Sequence, residues 1–197
     1  FYVANAQQGF LSGGEITYQN IGISNYEFTL TLFRDCAKNN FQFLDSYNLV
    51  ASTKNPNQKP VSFTVRKLGV DTYISSCEGK PSKCEGGTVD ALVKRTFVGR
   101  VKLPSQQKDW TVSFRTNGRT DVLNTISSSA QGFFTYLEAT INNVASTLNS
   151  SVSFANQPIP FVFINQQVTV NPGLVNYDQD KFDVSLVPSK VSNVSSV

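Results

Sequence analysis

The chain has 197 residues, a formal net charge of +3, a hydrophobic fraction of 40% and only 16% charged residues. That length and apolar content allow one sizeable β-domain with a real core and exclude disorder by composition. The absence of histidine excludes imidazole-assisted nucleophilic sites and the common catalytic zinc sites; no dense Lys/Arg run implies nucleic acid or anionic membrane, and no apolar stretch approaches the roughly 20 residues of a membrane-spanning helix.

The opening Phe1-Tyr2-Val3-Ala4-Asn5-Ala6 lacks the basic and apolar regions of a signal peptide, and methionine is absent. The expectation is an exported chain whose signal peptide has been removed. Residues 1–12 form an apolar, aromatic N-terminal segment. Phe1, Tyr2, Val3, Phe10 and Leu11 are either part of a first home strand or inter-subunit residues of a strand given to a neighbour.

Period-2 alternation then dominates. Gly14–Gln19 alternates, and Asn20–Asn25, with Gly22, reads as a hairpin turn. Tyr26–Phe33 is the clearest strand, with Tyr26, Phe28, Leu30 and Leu32 on one face and Glu27, Thr29 and Thr31 on the other. Val61–Arg66, Thr96–Leu103 and Trp110–Arg115 alternate in the same way, with Trp110 read as core rather than as a carbohydrate platform. Asp121–Ala130 reads as a short helix or an irregular loop. Gly132–Ile141 reads as a long central strand. Phe161–Ile164 and Gln167–Val170 flank a turn, and Lys181–Val187 closes the set.

Strands at this spacing, separated by Gly, Pro and Asn turns, predict an all-β fold. The expected architecture is an antiparallel β-sandwich with Greek-key (Ig-like) connections over residues 13–188, elongated or divided into two sub-domains sharing sheets. Residues 189–197 form a tail.

Three cysteines are present. Cys77 and Cys84 lie in a Gly-, Pro- and Ser-rich loop with six residues between them, so a loop-stapling disulfide is expected, worth about 2–3 kcal/mol by the chain-entropy argument. Cys36 is then left over, either buried at a strand end or paired between molecules.

Several ordered segments carry a resemblance. They are Gly13–Gln19, Asn25–Cys36, Asp109–Phe114, Tyr136–Asn143, Asn149–Ser151, Pro158–Phe161, Tyr177–Asp180 and Ser185–Pro188. In this order the chain resembles the N-terminal domain of the large gliding-motility-associated surface proteins of the Bacteroidota, which are typically exported by the type IX secretion system. The resemblance implies an extracellular, cell-surface β-module of an adhesin or filament with no catalytic residues. The chain departs from the family pattern in lacking further cysteines around Trp110 and at Arg115–Arg119.

Asp178, Asp180 and Asp183 stand close together before the last strand. Carboxylates in that pattern are hard oxygen ligands for calcium, while Lys181 among them favours a solvated turn; no other cofactor is expected. Glu15, Glu27 and Glu138 are strand carboxylates, read as solvent-face or cross-strand residues rather than a hydrolytic pair. Arg34-Asp35 reads as a structural ion pair or turn. The functional expectation is a non-catalytic structural or interaction module whose partners are itself or neighbouring domains of a surface assembly. The alternative is a glycan- or surface-binding module using exposed aromatics such as Tyr47, Tyr73 and Tyr136, and the weaker alternative is a glycoside hydrolase.

Overall fold

The computed structural model describes residues 11–37, 42–117, 134–144, 148–159, 161–162, 164–188 and 190. Strands β1 (Leu11–Gly22), β2 (Asn25–Asp35), β3 (Ser46–Ser52), β4 (Val61–Ser75), β5 (Ala91–Lys102), β6 (Trp110–Asn117) and β7 (Phe134–Ile141) form one antiparallel sheet in the order β1-β2-β5-β4-β3-β6-β7. Strands β8 (Ser153–Phe154) and β9 (Leu174–Val175) form a second, two-stranded sheet. The chain is all-β and antiparallel, and its β3-β4-β5 meander is flanked by β2 and β6 through two overlapping Greek-key crossovers. The expected two faces are supplied by a single seven-stranded sheet curled nearly into a barrel.

Alternation explains the curl. On β2, Tyr26, Phe28, Leu30 and Leu32 are all buried, and their partners across the ladder include Val101 and Phe97 of β5. Leu49 and Ala51 of β3, Val65 of β4, and Trp110, Val112 and Phe114 of β6 join them in one core. Tyr47 packs edge-on between Phe97 and Phe114 at centroid distances of 5.0 and 5.3 Å, a geometry that suits the ring quadrupoles. Gly99 is required by proximity, since a Cβ there would lie 2.4 Å from the Thr64 carbonyl oxygen of the adjoining strand.

Each end of the barrel is closed differently. At one end Trp110 is fully buried and its indole N–H donates to the Ser105 carbonyl at 3.1 Å, as expected of a core tryptophan. The buried Asn143 ties the end of β7 to the same crossover: its Nδ2 donates to Ser105, and its Oδ1 accepts from the Gln107 amide. At the other end, Arg95 grips Asp71 through two 2.6 Å hydrogen bonds. Its guanidinium lies 4.8 Å from the Phe43 ring centroid, and Arg34 approaches the same ring at 5.8 Å. Arg34 therefore serves the barrel mouth, while Asp35 caps the following turn by accepting from the Ala37 amide.

The cysteine pairing differs from expectation. Cys36 and Cys84 form the disulfide, with Cα atoms 4.9 Å apart, and Cys77 is free and exposed. The register of β2 on β5 is the cause. Cys36 directly follows β2, and its amide donates to the Ala91 carbonyl at the start of β5. The loop before β5 folds back through the 3-10 turn Lys83–Glu85, whose Lys83 amide donates to the Val89 carbonyl. Cys84 is thereby delivered to the buried Cys36, with Ala91 and Val93 beside it.

Four strand expectations are also corrected. β7 is an edge strand rather than a central one. Phe161–Ile164, Gln167–Val170 and Lys181–Val187 form no strand over their described residues and join neither sheet. The expected helix or loop at Asp121–Ala130, residues Phe1, Tyr2, Val3 and Phe10, and the tail 191–197 lie outside the described residues. Leu11 is corrected as an inter-subunit residue: it is 1% exposed and its side chain belongs to the home core.

Candidate functional site

Six successive antiparallel pairings separate β1 from β7. An odd number of strands so arranged leaves its two edge strands pointing the same way. They meet side by side without a ladder. A Cβ on Gly14 would lie 2.8 Å from Leu137 Cδ1, so the absent side chain lets the leucine bridge the seam. Further along, the Tyr18 hydroxyl donates to the Thr140 carbonyl at 3.3 Å. Burial, then the neighbouring Tyr26 and Asp178, push the Tyr18 hydroxyl up to about 12.

The Tyr18 end of this seam is filled by chain that follows β7. The Ser151 amide donates to the Tyr18 carbonyl at 2.9 Å, the Tyr18 amide donates to Ser151 Oγ at 2.8 Å, and the Asn20 amide donates to Ser150 Oγ. Among the described residues the Leu11 end is not filled in this way. A groove of about 550 Å³ opens there between Leu11–Gly14 and Phe134–Glu138, rimmed by Val187, Pro188 and Lys190. Its outer wall is polar: Lys190 Nζ donates to Glu138 Oε1, and the Tyr136 hydroxyl donates to Glu138 Oε2 at 2.8 Å. Burial and that carboxylate raise the Tyr136 pKa far above the ordinary phenolic value.

The residues following β7 expose an unusual amount of apolar surface. Val162, Val170, Tyr177, Val184 and Val187 are exposed, Ile164 is 92% exposed and Leu186 fully so.

The other expected site residues are dispersed. Asp178 Oδ2 accepts from the Ser150 amide and the Asp180 carbonyl accepts from Asn176, a hydrogen-bonded turn. Among the described residues no group of three or more His, Cys, Asp or Glu side chains is placed to hold a metal ion. Glu27 pairs with Arg100 at 2.7 Å. Glu15 is half-buried, and desolvation raises its pKa, offset in part by Lys94 and a hydrogen bond from Thr31. Tyr47 is half-buried and packs against the core while Tyr73 is exposed on β4, so these two do not build one aromatic platform. Sequence reading missed the seam, although the odd strand number and the glycine pair at Gly13-Gly14 are its signals.

Compared with protein-family models, curated proteins and solved structures, the chain finds no match in any of the three. Among the described residues no helix is long and apolar enough to cross a membrane, and the disulfide is compatible with an oxidising, extracellular setting.

Proposed function

We propose that this chain is a non-catalytic extracellular module of a bacterial surface adhesin or filament that self-associates through β-strand edges. The observation that carries the reading is the β1–β7 seam, where two edge strands meet without a ladder beside a segment rich in exposed apolar side chains. Free strand edges are templates for pairing, and proteins that do not use them blunt or cover them. The ordered resemblance to gliding-motility-associated surface proteins agrees with this role.

Sedimentation velocity over a wide concentration range, with negative-stain microscopy of the same samples, tests the reading. Concentration-dependent association into linear species is expected. Dispersed monomers at the highest concentration would instead favour the glycan- or surface-binding module.

A further inference from the structure

The turns at the Trp110 end of the barrel carry lysines that are far apart in sequence. Lys54 and Lys59 lie between β3 and β4, Lys102 ends β5, and Lys108 stands just before β6. The connection from β5 to β6 gathers this end into one surface. Its Leu103 amide donates to the Ser24 carbonyl of the β1–β2 turn at 2.8 Å. Ser105 Oγ donates to Gln58 Oε1 at 2.7 Å, and the Asp109 carboxylate accepts from the Thr53 hydroxyl and the Lys54 amide. All four lysines are exposed, and among the described residues none of their ammonium groups forms a salt bridge.

Asp109 is the only acid in these turns, and both of its carboxylate oxygens are already engaged. Four lysines and one aspartate give this end a formal charge of +3, which equals the net charge of the whole chain. Of the 17 basic and 14 acidic residues, the remaining 13 of each cancel. No basic run announces this in the sequence, because folding alone brings the lysines together. Like charge concentrated on one surface attracts a surface of opposite sign.

The same end presents two apolar side chains. Ile23 is 77% exposed at the tip of the β1–β2 hairpin, and Ile21 beside it is 47% exposed. The turn fixes them there: the Gly22 amide donates to Asn20 Oδ1 at 3.0 Å, and Asn25 Nδ2 donates to the Ile23 carbonyl at 3.1 Å. Lys102 pairs with Asn25 across the ladder, so a cation flanks the tip. Exposed aliphatic side chains among lysines suit a boundary where anionic headgroups cover acyl chains. An acidic polysaccharide offers the isoleucines no apolar layer, and these turns hold no aromatic ring for a sugar to stack on, since Trp110 is fully buried. A second copy of the chain is a poor counterpart, because the rest of the molecule has no net charge to offer.

We propose that the Trp110 end of the barrel docks on an anionic lipid surface, with Ile21 and Ile23 entering the interface and Lys54, Lys59, Lys102 and Lys108 meeting the headgroups. This end lies opposite Leu11 and Arg95. The proposal goes beyond the function given above and does not depend on self-association.

Co-sedimentation of the full chain with lipid vesicles tests it. The chain should bind vesicles of equimolar phosphatidylglycerol and phosphatidylcholine but not of phosphatidylcholine alone, and added salt should weaken the binding. Lys54→Gln with Lys102→Gln should weaken it about thirtyfold, and Ile23→Ser about tenfold. Lys80→Gln with Lys181→Gln removes the same charge from exposed sites elsewhere and should leave binding unchanged. Chemical denaturation followed by tryptophan fluorescence should match the parent for every variant. Absence of binding to the anionic vesicles at every lipid concentration would overturn the proposal. So would an equal loss in the Lys80 and Lys181 pair, which would mean attraction by overall charge rather than by this end. Binding that survives Ile23→Ser undiminished and is matched by binding to polygalacturonate would assign the lysines to a polyanion and overturn the lipid surface. Sedimentation velocity without vesicles reads self-association separately, so failure here leaves the proposed function standing.

Discussion

The Tyr18 hydroxyl donates to the Thr140 carbonyl at 3.3 Å, joining by a side chain two edge strands that share no ladder. Its pKa of about 12 lies above the ordinary phenolic value of about 10, so the protonated form is favoured in the folded state. The associated stability is fully present below pH 10 and is lost as pH rises through about 12. Tyr18→Phe should lower unfolding stability by about 1 kcal/mol at neutral pH and flatten that alkaline loss. Chemical denaturation at pH 7 and at alkaline pH, followed by the fluorescence of the single tryptophan, measures both.

Thiol titration of the folded chain should find one reactive thiol, Cys77, and three after reduction and unfolding. Replacing Cys36 and Cys84 together by serine removes a covalent link across a sequence separation of 48 residues. It should destabilise the fold by up to about 4 kcal/mol on the chain-entropy argument. Cys77→Ser should leave stability unchanged, and a Cys77–Cys84 peptide in a non-reducing digest would contradict the pairing.

The Asp71 carboxylate is held below the usual carboxylate range by its hydrogen bonds from Arg95. A depressed folded-state pKa contributes stability above the unfolded value near 4 that is lost as pH falls through the folded value. Asp71→Asn should cost about 1–2 kcal/mol at pH 7, a figure reduced for solvent screening because the carboxylate remains a fifth exposed. The difference from the parent chain should shrink on acidification below pH 4, which thermal melts at stepped pH will show.

Glu15 behaves in the opposite sense. Desolvation raises its pKa, so its protonated form is favoured in the fold, and stability falls as pH rises through the folded-state value. Glu15→Gln should match the parent at acid pH and equal or exceed it at neutral pH, by about 0.5 kcal/mol. A variant less stable than the parent at pH 7 would show that the Thr31 and Lys94 interactions outweigh the burial.

Much of the sheet was legible because alternation on β2 and β6 is strong: Tyr26, Phe28, Leu30, Trp110, Val112 and Phe114 are all core residues. The second half of β4 was not, because the irregularity between Leu68 and Thr72 interrupts the pattern, leaving Leu68 and Val70 exposed while Ile74 is buried. The disulfide was misread because short loop closure favours Cys77–Cys84, whereas the pairing is decided by inter-strand register that local sequence does not display. Alternation at Lys181–Val187 predicts a strand, and the structure has none there, because alternation alone does not supply the ladder of hydrogen bonds that makes one.

The parallel course of β1 and β7 also fixes how the sheet would carry load. A pull applied at Leu11 and Ile141 acts at opposite ends of the barrel, along the strand axes. The β1–β2 hydrogen bonds would then be sheared together rather than peeled one by one. Single-molecule stretching between these points should record one abrupt, high-force rupture; a gradual low-force extension would mean that the edge strands give way in sequence. A tether stressed in this direction resists at full strength until it fails.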